Sequence, residues 1–216
     1  MTKIISLLNQ KGGCGKTTIA VNLAHSLQTE GYKVLLVDSD PQGSSRDWNA
    51  LNEGNIIPVV GLDRDSLAVD IKAVQDGYDI VLIDGAPSIE KMLVAAVKVS
   101  DLILIPVQPS PWDIWATSDL VDLVKARQEV TDGKPLACFL VSRAIKNTKL
   151  SIEVIEVLKQ YGLPLLKSYT TQRVIYPTSA SDGQTVYSTS FNDATLEVDA
   201  IRKEVIEVLN EFTNKA

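Results

Sequence analysis

Apolar residues run along this chain in short blocks that alternate with stretches of helical spacing. Ile4-Ile5-Ser6-Leu7-Leu8 opens the series as a buried strand. Ile19, Ala20, Leu23, Ala24 and Leu27 then recur at helical intervals, so a helix is expected to start near Lys16. Lys33 to Val37 reads as a second strand ending at Asp38, and Ile56 to Val60 as a weaker third one. A helix carried by Leu67, Ile71 and Val74 follows. Ile80 to Ile83 leads into Asp84, and Leu102 to Ile105 into Pro106. Leu136 to Val141 is a further apolar strand, with a short one at Leu165-Leu166. Helices are expected near 89–98, 113–129, 148–161 and 196–213, and the Ser- and Thr-rich stretch from Thr178 to Thr189 reads as a loop.

Near-continuous Val, Ile and Leu strands separated by helices predict an α/β fold, a mostly parallel twisted sheet with helices on both faces. With 216 residues and no internal repeat, residues 1–216 are expected to form one domain. Ligands of such sheets sit beyond the carboxyl ends of the strands. The polar residues with chemistry to offer collect at those ends.

The first of these ends carries Lys11-Gly12-Gly13-Cys14-Gly15-Lys16-Thr17-Thr18. Strand, glycine loop and helix together are the context of a phosphate cradle. Glycines at 12, 13 and 15 let backbone N–H groups curl around phosphate oxygens at a helix N-terminus. Lys16 is expected to reach the β- and γ-phosphates, and the Thr17 hydroxyl to ligate Mg²⁺. A tight strand-to-helix connection would explain the glycines alone, but not two lysines and two threonines as well. Cys14 reads as a small residue that fits the loop.

Two further strand ends supply carboxylates. Val37-Asp38-Ser39-Asp40-Pro41-Gln42 puts Asp38 and Asp40 at i and i+2 of an extended segment, pointing to one side, with Pro41 turning the chain. Asp84 follows four apolar residues, where a carboxylate near Mg²⁺ or its waters belongs. Taken singly, each aspartate could merely end a strand.

These segments together resemble the ParA/MinD family of partition and positioning ATPases. The resemblance rests on the Lys-Gly-Gly-x-Gly-Lys-Thr loop, with Gln10 where the standard phosphate loop has glycine, on Val37 to Gln42, and on Ile83-Asp84-Gly85-Ala86-Pro87-Ser88. Pro106-Val107-Gln108-Pro109-Ser110 and Thr171-Gln172-Arg173 with Tyr176 extend it to about residue 187. It implies that residues 12–16 hold the phosphates of ATP, with Thr17 and Thr18 completing the site, and that Thr17 binds Mg²⁺ while Asp38 and Asp84 support it through water. It implies that Asp40 positions the attacking water and that Lys11 reaches across a two-fold axis to the ATP of a second copy. Ser142 and Arg143 stand where the fold contacts the nucleobase; adenine over guanine rests on the resemblance alone, and Arg143 reads equally as a surface charge.

Composition narrows the partners. The formal net charge of −6 does not mark the chain as a nucleic-acid binder, although a local basic patch is compatible with it. The resemblance implies an ATP-dependent homodimer that binds nonspecific DNA, with a small DNA-binding or cargo-adaptor protein stimulating hydrolysis. Arg173, Arg202 and Lys203 are the candidate DNA contacts, with Lys146 and Lys149 at a loop–helix junction; each reads equally as a solvated charge. The alternative is an ATP-dependent partner-binding regulator with no DNA surface. The last helix, with Val198, Ile201, Val205, Val208, Leu209 and Phe212 beside a mixed face that includes Lys215, is expected to pack on the core rather than on a membrane. The lone His25 lies within the first helix and is expected to be packed or exposed rather than catalytic. Two distant cysteines, Cys14 and Cys138, no leader pattern and no run of about 18 apolar residues predict a cytoplasmic protein, nucleoid-associated when ATP is bound.

Overall fold

The structure, a computed structural model, describes residues 2–87, 90–145, 149–190 and 192–213. Six strands form one parallel sheet: β1 (Lys3–Leu7), β2 (Val34–Asp38), β3 (Val59–Gly61), β4 (Ile80–Asp84), β5 (Leu102–Val107) and β6 (Leu136–Val141). Their order across the sheet is β3-β2-β4-β1-β5-β6. The register sets Leu7 beside Asp84 and Asp84 beside Asp38, so three strands end level at the centre of the sheet.

Both faces are covered, which is why the strands read as unbroken apolar runs rather than alternating ones. Ile5 and Leu7 of β1 face α1 (Lys16–Thr29), and Ile4 faces the opposite layer. On the α1 side lie α2 (Ser44–Leu51) and the long α9 (Asp193–Thr213). The other face is covered by α3 (Leu67–Val74), α4 (Glu90–Val99), α5 (Pro111–Trp115), α6 (Ser118–Glu129) and α7 (Lys149–Gln160). The apolar stripe of α9 is buried at Val198, Ile201, Val205 and Leu209, as expected of a helix packed on the core. Among the described residues no helix is long and apolar enough to cross a membrane.

The element pattern departs from the sequence reading in several places; the weak strand expected over Ile56 to Val60 is only Val59–Gly61. The helix expected over 113–129 is two helices, because Thr117 turns its hydroxyl onto the Ile114 carbonyl (2.6 Å) and breaks the run. The break leaves Trp112 and Trp115 of α5 on the surface, packed edge to face. The helix α2 carries a single large buried anchor, Trp48, whose Nε1 donates to the Gln184 carbonyl (2.9 Å), too little periodicity to read from sequence. The stretch 178–189 is not a plain loop. It holds the end of α8 (Ile175–Ser181) and a 3₁₀ turn, Val186–Ser188. Its hydroxyls serve local carbonyls and caps, as with Thr178 Oγ1 on Val174 O and Thr185 Oγ1 on the Tyr187 N–H. The Leu165-Leu166 strand reduces to a single bridge between Leu165 and Phe139, and α9 begins at Asp193, three residues earlier than expected.

Candidate functional site

The glycine loop leaves β1 through Asn9, a residue the sequence reading passed over. Asn9 is wholly buried; its Nδ2 donates to the Pro106 carbonyl at the end of β5 (2.7 Å), and its Oδ1 accepts the Lys11 N–H (2.8 Å). A buried asparagine straight after an apolar strand is the one signal that could have marked it. Further along, Gln108 Nε2 donates to Gly13 O (2.7 Å) and the Ser142 hydroxyl to Cys14 O (2.7 Å). Gly13 and Gly15 take left-handed φ values of 76° and 94°, which a side chain would strain. The loop is thus held to one shape by the ends of β5 and β6. Lys16 is buried with Nζ on the Lys11 carbonyl (3.0 Å), while Lys11 itself is exposed. Cys14 is sealed beneath the loop, and burial pushes its thiol pKa up, so it stays a neutral packing residue.

Asp84 closes the floor. Its Oδ2 accepts from Thr17 Oγ1 (2.7 Å) and from Ser45 Oγ (2.8 Å), while its Oδ1 is buried with no hydrogen-bond partner among the described residues. Burial raises its pKa to about 6; the two hydroxyls and Lys16 oppose the shift, and neighbouring Asp38 adds to it. An unpartnered carboxylate oxygen beside a threonine hydroxyl is a donor set that suits a hard cation such as Mg²⁺. Ser45 went unnoticed in the sequence because it lies on the unanticipated α2.

The pair expected to point one way is divided. Asp38 is buried, turning its carboxylate back onto the N–H groups of Asp40 and Arg46 (3.0 Å each), and burial raises its pKa. Asp40 alone of the two lines the cleft, its Oδ1 accepting the Gln42 N–H (2.9 Å). The strand ends at Asp38, so Asp40 lies outside the extended segment on which the sequence reading kept the two together.

The cleft above these groups has a volume of about 390 Å³. One side is the glycine loop; the other is Ser142, Arg143 and the segment from Thr170 to Pro177. Arg143 sits at a left-handed φ of 53°, held by its N–H on Thr170 Oγ1 (3.1 Å), its Nε on Gln172 (2.8 Å) and its Nη1 on Gly13 O (3.4 Å). It therefore spans the two sides of the cleft and is not a free surface charge. Behind the wall, Glu197 of α9 accepts four hydrogen bonds: the Thr171 N–H (3.0 Å), Thr171 Oγ1 (2.6 Å), Arg173 Nε (2.9 Å) and Tyr176 OH (3.0 Å).

The comparisons with known proteins agree with this fold. A family model for an AAA domain matches residues 2–60 and 57–134, more than half of the chain. The sporulation initiation inhibitor protein Soj of Bacillus subtilis is 30% identical over 203 residues, which cover 74% of this chain and 80% of Soj. This chain belongs to the ParA/MinD family of ATPases. It is also similar to the maintenance of carboxysome distribution protein A of Halothiobacillus neapolitanus, 29% identical over 208 residues covering 94% and 95% of the two chains. The septum site-determining protein MinD of Pyrococcus horikoshii, solved with Mg-ADP, shares the fold with a TM-score of 0.76 at 20% identity, covering 95% of this chain and 96% of that one.

Set in the ParA/MinD fold, the candidate DNA contacts look different. Arg202 does not begin the last helix and is not at the surface. It is buried against α1, with Nε on Ser26 Oγ (3.0 Å) and Nη2 on Glu30 (2.8 Å), so it is withdrawn as a DNA contact. Arg173 lines the cleft and is paired with Glu197 (2.9 Å) and Asp193 (3.0 Å). Lys203 is exposed. Lys146, Ser88 and Lys215 lie outside the described residues, as do the side chains of Lys149 and Phe212. His25 is packed, with Nδ1 2.6 Å from Thr185 Oγ1 and its ring against Tyr187.

Proposed function

We propose that this chain hydrolyses Mg-ATP in the cleft between the glycine loop and the 170–177 wall, and that it works as a positioning ATPase. The observation that carries the reading is Asp84, bonded to Thr17 and Ser45 with its second oxygen buried and unpartnered at the foot of the loop. Residues Gly12 to Thr18 hold the phosphates through N–H groups and the Lys16 ammonium, and Ser142 and Arg143 border the nucleoside. Thr17, with Asp38 and Asp84 behind it, holds Mg²⁺, which when bound neutralises charge on the transferring phosphoryl group. Asp40 orients the attacking water by accepting its hydrogen bond. Lys11, exposed at the front of the loop, supplies a positive charge to the ATP of a second copy, tying hydrolysis to homodimer formation.

In this reading the ATP-bound dimer binds nonspecific DNA in the cytoplasm, associates with the nucleoid, and is released when an adaptor on the cargo stimulates hydrolysis. The carboxysome-distribution relative favours a protein cargo for that adaptor. Lys11→Gln tests the dimer directly: the variant is expected to bind ADP normally and to lose ATP-induced dimers in light scattering. A Lys11→Gln variant that still dimerises removes the role in trans.

One observation favours a second reading, a partner-binding regulator without a DNA surface. Arg173 and Arg202, two of the five cations named for DNA, are already paired with carboxylates of this chain. Titration of random-sequence DNA with ATP at low salt separates the two. ATP-dependent binding that weakens steeply with salt supports the first; no binding at any salt leaves the second.

A further inference from the structure

Arg46 stands outside the nucleotide cleft, on the first turn of α2, yet it holds the turn that carries Asp40. Its backbone N–H donates to Asp38 Oδ2 (3.0 Å). Its Nη2 donates both to the Asp40 carbonyl (3.0 Å) and to Asp63 Oδ2 (3.0 Å), and its Nε lies 3.5 Å from Asp38 Oδ2. The side chain lies close against Gly61, the last residue of β3, where a Cβ would stand 2.9 Å from Arg46 Cδ. The Arg46 side chain is 38% exposed, whereas the Asp38 side chain it faces is fully buried.

The charges explain the arrangement. The carboxylates of Asp38 and Asp63 and the backbone carbonyl of Asp40 gather around one guanidinium. A planar fork can hold a carbonyl and a carboxylate at once, which a lysine ammonium on a flexible stem does poorly. Fixing the Asp40 carbonyl fixes the peptide from which its side chain enters the cleft. Asp63 anchors the same nitrogen to the segment that follows β3.

We infer that Arg46, anchored by Asp63, is a positioning residue for hydrolysis: it holds the Asp38–Gly43 turn so that Asp40 faces the cleft. The inference rests on the role proposed for Asp40. Because Arg46 does not line the cleft, its loss should lower turnover and spare nucleotide affinity.

The test uses the full chain, single-turnover hydrolysis of Mg-ATP and the affinity for a fluorescent ATP analogue. Arg46→Ala is expected to slow hydrolysis on the order of 10- to 100-fold, the usual result of small misplacement, with affinity changed by less than about threefold. Arg46→Lys should recover only part of the rate. Gly61→Ala, which pushes the arginine stem aside without removing its charge, should slow hydrolysis several-fold and covers the case in which Arg46→Ala fails to fold. In an Asp40→Ala background the Arg46 change should add nothing, since both act on one group. Normal turnover in Arg46→Ala, a parallel loss of affinity, or additivity with Asp40→Ala overturns the inference. If Asp40→Ala alone turns over normally, the Asp40 assignment and this inference fall together; if Asp40→Ala is slow and Arg46→Ala is not, only the inference falls.

Discussion

The two sides of the nucleotide cleft are built in different ways. The phosphate side is backbone on a scaffold: a glycine loop pinned by Asn9, Gln108 and Ser142 to the ends of three parallel strands. The opposite wall, residues 170–177, is an irregular segment running into α8. Its backbone is bonded to Val141 at the end of β6 and to Ala144 just beyond, and its side chains gather on one carboxylate of a distant helix, Glu197. A phosphate group is the same in every nucleotide, so its cradle can be rigid and local. A wall attached at the edge strand, with its side chains gathered on one carboxylate, can be changed with less disturbance to the centre of the sheet, and that is where variation in what the cleft accepts has room to arise.

If this contrast is right, damage to the two sides should differ in size and kind. The largest effect is expected from Lys16→Ala, which removes a buried charge at the phosphates. ATP affinity should fall at least 100-fold, corresponding to about 3 kcal/mol, in an equilibrium binding assay. Retained tight binding would remove the phosphate-cradle assignment.

Asp84→Asn comes next, and it separates chemistry from stability. Turnover should be lost, yet the nucleotide-free protein should become more stable above pH 6. The sign follows from the raised pKa of about 6 against 3.8 for the free group. The folded state holds the Asp84 proton more tightly, so this group's contribution is fully present below pH 4, is lost as pH rises towards 6, and stays lost above. That loss is on the order of 3 kcal/mol, and the asparagine variant should not show it in urea unfolding followed from pH 4 to 7.

Glu197→Ala tests the wall. It strands Arg173, Tyr176 and the Thr171 N–H, so stability should fall by about 2–3 kcal/mol, while ATP affinity falls several-fold rather than a hundredfold. Equal losses of affinity in Glu197→Ala and Lys16→Ala would erase the contrast. The smallest effect is expected from Lys203→Glu, which should leave stability within about 0.5 kcal/mol and weaken DNA binding only if the exposed face of α9 meets DNA.

The same contrast governs what the sequence discloses. The loop, Asp40 and Asp84 are legible because each sits at or within a few residues of the end of an apolar strand, and a parallel sheet brings all strand ends together. The wall is not, because Glu197 meets Thr171, Arg173 and Tyr176 only after α9 folds back over the sheet. Arg202 misleads for a related reason. In sequence it is one more cation beside Ile201, and only its partners, Ser26 on α1 and Glu30 just after it, explain why it is buried. Ser45 and Arg46 were hidden because α2 has too few apolar positions to be read as a helix, although its first turn reaches both Asp84 and Asp38.

The distribution of the three tryptophans has a spectroscopic consequence. Trp48 is buried two residues after Arg46, with its indole N–H on the Gln184 carbonyl, whereas Trp112 and Trp115 stand 70% and 58% exposed. Iodide or acrylamide will quench the exposed pair first and leave a blue-shifted emission from the sealed indole. Any rearrangement of the turn before α2 on nucleotide binding is therefore recorded in the unquenched fraction of the protein's own fluorescence, with no label attached.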